Sequence, residues 1–234
     1  MPVVKKSVQD TVFRVLKEGI MSLRLAPGTV MSTMEMAERL NVSRTPVRES
    51  FIRLQEEGLV DVVPQKETIV SRIDFKRMAE ERFIRGSLEL SVAEPFIRNC
   101  RPVHIEQLKE ILAQQKEYAV SNEHVRFVEA DNELHRMFFE VAEKKLAWNT
   151  LMSVNSHDYR FRVLVVRAEG VQDGVIDQHE KLIRYAADKD LDGFRGELHE
   201  HLKKMDTEKQ ELLHLYPDYF VTEETVRPFE IRPL

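Results

Sequence analysis

The stretch Asn41-Val42-Ser43-Arg44-Thr45-Pro46-Val47-Arg48-Glu49 decides the fold of the N-terminal third of the chain. Ser43 stands where a hydroxyl can accept an orphan amide from the first turn of a helix. Pro46 falls inside that turn, where its missing N–H has no intrahelical partner to lose. On the predicted helix Val47, Phe51 and Leu54 point one way and call for partners to pack on. Arg44 and Arg48, four apart with Thr45 beside them, share another face.

Reading toward the N-terminus, Asn41 breaks a short helix from about Thr33 to Leu40, with Thr33 as its N-cap and Met36, Ala37 and Leu40 facing inward. Before it, Val8, Val12, Val15, Leu16, Ile20 and Leu23 fall on one helical face. Arg14, Lys17 and Glu18 are left for solvent, and Pro27-Gly28 ends the run in a turn. Toward the C-terminus, Leu59 to Val63 and Thr68 to Ser71 are two β-rich runs joined by Pro64-Gln65-Lys66-Glu67. Three helices followed by a hairpin is the layout of a winged helix-turn-helix.

Composition bounds the remainder. A chain of 234 residues is long enough for one large domain or two ordinary ones. No apolar run approaches the roughly 18 to 20 residues that span a bilayer, and the opening MPVVKKSVQD has no apolar signal core, so a soluble, cytoplasmic protein with no membrane partner is expected. The one cysteine, Cys100, excludes an internal disulfide framework and any Cys-rich zinc module, which fits a reducing compartment. Charged residues make up 32% of the chain, with only 8 glycines and 9 prolines, which favours long helices over disorder.

The net charge of −5 argues against a nucleic-acid partner only while the chain is treated as one object. Residues 1 to 72 carry 11 Lys and Arg against 9 Asp and Glu, whereas the rest carries 24 against 31. A slightly basic part therefore precedes an acidic one. No internal repeat or low-complexity segment suggests a solenoid.

The segments Ala26-Pro27-Gly28, Met36 to Glu49 and Leu54-Gln55-Glu56-Glu57-Gly58-Leu59-Val60 resemble the DNA-binding domain of the GntR family of bacterial transcription regulators, over about residues 8 to 72. The resemblance implies that Ser43, Arg44, Thr45 and Arg48 contact double-stranded DNA. An arginine can read guanine O6 and N7 bidentately in the major groove, and a threonine can meet a base edge or a phosphate. Two positions depart from the pattern. Many members have an arginine where Met34 stands and a glycine at the wing tip where Glu67 stands. Lys66 is then the main candidate for a wing contact.

From Phe75 onward the apolar periodicity predicts about six helices, with breaks near Pro102, Ser121-Asn122, Lys144-Lys145, Gly170 to Gly174 and Asp188 to Asp190. The fold expected is mainly α: a winged helix-turn-helix over 1–72, an antiparallel helical bundle over 73–216, and a C-terminal tail over 217–234. The tail, with aromatic residues and further prolines, is expected to be extended and packed against something, possible partners including a second subunit.

Asp131 and His135 stand four apart and project from one face of a helix. His179 and His201 lie on two later helices separated by an Asp-rich turn. This DxxxH … H … HL arrangement, with Arg85-Gly86-Ser87-Leu88-Glu89 near the start of the region, resembles the FCD ligand-binding domain of the FadR branch, over about Ile73 to Tyr216. There one Asp and three His hold a divalent metal. The resemblance implies a site of Asp131, His135, His179 and His201 for zinc, nickel, iron or manganese, with no thiolate to narrow the choice. It also implies a small carboxylate effector bound at open metal positions, with Arg85 and Arg162 as its counter-charges; either arginine can equally be a surface charge. His199 reads as exposed, and His104, His124, His157 and His214 share no pattern.

Two other classes compete. An Asp-His-His-His site can activate water in a metal-dependent enzyme, or a metal can simply staple the bundle. Zincin spacing, a Gly-rich phosphate loop and a nucleophile motif are all missing, and catalysis gives no reason for a DNA-reading helix. The sequence is thus read as a regulator and not an enzyme: a homodimer on a palindromic operator with half-sites about one helical turn apart, its affinity shifted by effector binding in the bundle.

Overall fold

The computed structural model describes residues 7–63, 67–203 and 209–222. The chain divides into two units. One runs to Lys76 and resumes at Leu213, and the other is Arg77–Leu212.

In the first unit, α1 (Val8–Met21) begins at Ser7, whose hydroxyl accepts from the Asp10 amide at 3.0 Å. Strand β1 (Val30–Met31) leads into α2 (Thr33–Leu40), and α3 (Arg44–Glu56) follows after Asn41, which closes α2 in the left-handed conformation that Asn tolerates. Strands β2 (Val60–Val63) and β3 (Glu67–Val70) form an antiparallel hairpin, Val60 opposite Val70 and Val63 opposite Glu67. Val12, Leu16, Ile20, Met36, Val47, Phe51, Leu54 and Val70 close the core among these elements.

Four local readings are corrected. The N-cap of α2 is Ser32, whose hydroxyl accepts from the Glu35 amide at 3.1 Å; Thr33 is the first helical residue. Ser43 holds the N-cap position of α3 but its side chain makes no capping hydrogen bond. Val8 and Val15, 59% and 37% exposed, lie off the buried stripe of α1 because that stripe is narrow, and Leu23 is buried beyond the helix end. The hairpin is also widened by β1, which pairs with β3 through Val30–Ile69 and Met31–Thr68 to give the order β1-β3-β2. Two residues carry too little alternation to announce a strand.

The second unit contains most of α4 (Phe75–Asn99), then α5 (Pro102–Val120), α6 (His124–Val141), α7 (Lys145–Ser153), α8 (Ser156–Val165), α9 (Val171–Ala187), α10 (Leu191–Lys203) and the start of α11 (Lys209–Leu215). That makes eight helices among the described residues from Phe75 on, where six are expected. One additional break is at Val154-Asn155; α10 and α11 are separated by residues 204–208, which lie outside the described residues. The break at Val154-Asn155 frees the amides of His157 and Asp158, and Glu81 on α4 accepts both at 2.9 Å. Gly174 does not interrupt α9, which starts after Gly170 in the left-handed region. At the centre Phe96, Phe138 and Phe194 meet in pairs with ring centroids 4.8 to 5.2 Å apart, amid Leu108, Leu134, Leu182 and Leu198.

Candidate functional site

On one side of the phenylalanine cluster the interior becomes polar. Asp131 and His135 are the polar members of an otherwise apolar buried stripe on α6 with Phe127, Leu134 and Phe138. His179 sits in the buried stripe of α9 with Val175, Leu182 and Ile183. His201 follows Phe194 and Leu198 on the inner face of α10. Helical periodicity on three helices thus brings the four side chains together, all buried, with ligand atoms within 4.8 Å of one another.

The geometry centres on Asp131 Oδ1. His179 Nε2 is 3.5 Å from it, His201 Nε2 3.8 Å and His135 Nε2 4.0 Å. Each imidazole is oriented through its other nitrogen. Nδ1 of His135 meets Glu89 Oε2 at 2.5 Å, that of His179 meets Gln115 Oε1 at 2.8 Å, and that of His201 meets Gln178 Oε1 at 3.2 Å. Gln115 is itself held by donating its amide to Phe127 O at 3.3 Å, which turns its oxygen to His179. With the proton on Nδ1, each Nε2 presents a lone pair inward.

Such an arrangement fits a metal ion. His179 Nε2 is buried without a hydrogen-bond partner. Burial holds the His179 imidazole below its ordinary range. His201 is held well below it, first by burial and then by the neighbouring His179 and His135, so both are neutral and able to ligate. Burial alone would raise the Asp131 carboxyl, but Arg162, His135 and Arg85 with the His179 contact keep it well below the usual range. Metal bonds of about 2.0–2.2 Å place opposite ligand atoms roughly 4.4 Å apart at most, so closing the set takes shifts of a few tenths of an ångström.

The second oxygen of Asp131 faces two buried guanidiniums. Arg162 Nη1 donates to Asp131 Oδ2, and Arg85 Nη2 reaches the same atom at 3.3 Å. Arg85 also donates to Glu89 at 2.6 Å, and the two arginines lie 3.7 and 3.3 Å from Asp158 Oδ2. Burial pulls Arg85 toward neutrality, but Glu89, Asp131 and Asp158 raise it well above its ordinary value. Glu89, opposed by burial, is held down to about 2 by His135 and Arg85. A small cavity of about 20 Å³ opens here, lined by Arg82, Arg85, Asp131, Asp158, Arg162, His201 and Leu202.

In the first unit, Ser43, Arg44, Thr45 and Arg48 are all exposed at the start of α3. Among the described residues Arg44 and Arg48 have no acidic partner, whereas Arg14 pairs with Glu18, Arg39 with Glu35 and Arg53 with Asp10. The two arginines on the predicted reading face are thus available to an external anion. Lys66 lies outside the described residues.

Two family profiles match: that of bacterial regulatory proteins of the gntR family over residues 8–70, and that of the FCD domain over residues 82–204. The chain belongs to the GntR family. Its members are transcription regulators, not enzymes, and the water-activating reading of the Asp and His cluster falls with that assignment. The chain is 28% identical over 216 residues to the HTH-type transcriptional repressor RspR of Escherichia coli K12, covering 92% of this chain and 95% of that protein. It is 30% identical over 151 residues to a D-xylose utilization operon transcriptional repressor assigned as probable in Paenarthrobacter nicotinovorans, covering 63% and 65% of the two chains. In fold it is similar to Escherichia coli McbR/YncC, with a TM-score of 0.72 at 21% identity, over 91% of this chain and 99% of that one. No described helix is long and apolar enough to cross a membrane.

Sequence reasoning did not reach the residues that orient this GntR member's cluster. Glu89 lies in the quoted Arg85–Glu89 motif, at the fourth-residue spacing that aligns Glu81, Arg85 and Glu89 on one face of α4. Gln178 adjoins His179, and a polar residue on a buried stripe is the signal that was available. Gln115 carries the same mark, continuing the buried stripe of Ile105, Leu108 and Leu112 on α5, whereas Asp158 and Arg82 carry none, since their roles depend on how separate helices meet.

Proposed function

We propose that the protein is a metal-containing, effector-responsive regulator of transcription. The observation that carries this reading is the convergence of three imidazole Nε2 atoms on Asp131 Oδ1 while every Nδ1 is engaged behind them. Asp131, His135, His179 and His201 hold a divalent transition metal, with zinc, nickel, iron or manganese compatible with nitrogen and oxygen donors. When bound, the ion supplies positive charge and exchangeable positions for an oxygen ligand.

The charges around the cavity favour an anionic effector. Arg82, Arg85 and Arg162 balance Glu89, Asp131 and Asp158, so a divalent cation leaves an excess of positive charge. A small carboxylate meets that excess by taking Arg85 and Arg162 from Asp158. Asp158 belongs to α8, whose first amides Glu81 holds, so exchange at the arginines is felt by the placement of α8. Operator affinity then changes by the difference in effector binding to the two states.

Ser43, Arg44, Thr45, Arg48 and Lys66 contact the operator, and a homodimer brings two such faces to a palindrome. The modest positive charge of the first unit leaves much of the affinity to dimerisation. The test is selection of bound fragments from a random-sequence DNA library, repeated across a panel of small carboxylates. Enrichment of one palindrome, released or tightened by a member of the panel, is the expected result. Enrichment of nothing overturns the operator reading, and an unresponsive palindrome overturns the effector reading.

A further inference from the structure

The segment after α11 does not hang free of the first unit. Tyr216 leads into a 3-10 turn, Pro217–Tyr219, and Phe220 then runs extended. Phe220 forms a parallel bridge with Ile73: the Ile73 amide donates to Tyr219 O at 2.8 Å and the Val221 amide to Ile73 O at 3.0 Å. Both side chains are fully buried, and the Phe220 ring stacks on Phe75 at 4.8 Å with 7° between planes. Arg72 Nε donates to Asp218 O at 3.0 Å. Gly28 makes room for this arrangement. Its φ is +83°, its amide donates to Val70 O at 2.8 Å, and a Cβ there would meet Arg72 Nη2 at 3.3 Å.

Ile73 lies three residues beyond β3, the strand that carries one side of the wing and pairs with both β1 and β2. The backbone continues Val70-Ser71-Arg72-Ile73, with the Ser71 amide on Leu59 O and the Val70 amide on Thr29 O. The chain's exit from the DNA-reading unit and its return are therefore fastened to each other, and the fastening is in line with the wing strand.

We propose that residues 216–221 form a clasp that completes the winged unit, holds β3 and the exit segment in place, and makes the state of the C-terminal segment a determinant of operator affinity. The consequence for DNA rests on the operator reading above; the fastening itself does not. Residue 73 cannot behave as a loose hinge while the clasp is shut, because leaving the bridge exposes Phe220 and breaks two backbone hydrogen bonds at once.

The experiment is hydrogen exchange of the full chain and its Phe220→Ser variant, with DNA recovered by the wild-type chain from a random library as the binding probe. In the variant, the amides of Val70, Ile73 and Val221 should exchange at least about tenfold faster, those of α5 and α6 should keep wild-type rates, and DNA affinity should fall at least about fivefold. Unchanged exchange at Val70 and Ile73 overturns the clasp, and faster exchange with unaltered DNA affinity overturns its bearing on DNA. If circular dichroism shows that Phe220→Ser does not fold, Phe220→Leu keeps the buried apolar group without the ring stack. It should speed the same amides by a smaller factor, and no increase there overturns the clasp as well. Failure of the wild-type chain to recover any DNA strikes the operator reading, while the exchange result still decides the fastening.

Discussion

His135 Nε2 and His201 Nε2 stand 3.1 Å apart inside the helical unit, each on a ring whose other nitrogen is already engaged, one by Glu89 and the other by Gln178. With both protons on Nδ1, two lone pairs face each other beside a third on His179 and a carboxylate oxygen. A cation among them converts that repulsion into ligation.

Metal removal should therefore lower stability. A ligand bound only by the folded state, at 100 times its Kd, adds about 2.7 kcal/mol. Thermal denaturation with excess zinc and with EDTA should show melting points several degrees apart in the wild type, and no difference in His201→Ala. Equal melting points in the wild type contradict the assignment.

The orienting residues have a distinct signature. Gln115→Ala and Gln178→Ala should each weaken metal affinity by about 10- to 100-fold while leaving helicity unchanged, since they act on the tautomer and angle of a ligand rather than on the core. Competition with a chromophoric chelator measures this directly, and wild-type affinity in both variants would contradict the roles given to them.

The pH dependence of the metal-free protein follows from opposing shifts. His179 and His201, lowered in the folded state from an ordinary 6.5, contribute stability that is full above that pH and lost as the pH falls, because the unfolded chain then takes up protons first. Glu81, raised by burial from 4.5 to about 7, has the opposite sign: its contribution is present below the unfolded value and lost as the pH rises through about 7. Asp131 and Glu89, both lowered, act in a more acidic window. From pH 6.5 downward the lowered histidines, His104 and His124 among them, outnumber the one raised glutamate, so stability should fall as the pH falls. Urea denaturation in EDTA at stepped pH checks the sign, and Glu81→Gln should steepen the slope.

On the DNA side, Arg44→Ala and Arg48→Ala should each cost about 1–3 kcal/mol of operator binding and relax sequence preference if they read bases. Arg53→Ala, which removes a guanidinium paired with Asp10 and lying over the Phe13 ring, should leave DNA affinity within about twofold while lowering stability slightly. Fluorescence anisotropy on a selected fragment separates the two behaviours.

How much of this was legible in the sequence varies with the range of the interaction. Asp131 and His135 share a face through a four-residue spacing, and the reading helix is announced by local chemistry from Ser43 to Arg48. By contrast, β1 is too short for periodicity, and the break before α8 is explained by Glu81, some 75 residues upstream. The Ile73 and Phe220 bridge is longer still in range, and aromatic residues in the tail indicate packing without naming the surface. The electrostatic setting of Arg85 and Arg162 likewise depends on α4, α6 and α8 meeting, which no single segment reveals.

Everything proposed for the helical unit depends on Asp131, His135, His179 and His201 holding a metal. Elemental analysis of protein purified without a histidine tag or chelator, alongside the His179→Ala and His201→Ala variants, tests it most directly. About one divalent transition metal per wild-type chain and a strong reduction in both variants are expected. A wild-type chain that carries none and takes up none on incubation with zinc, nickel, iron or manganese would contradict the assignment.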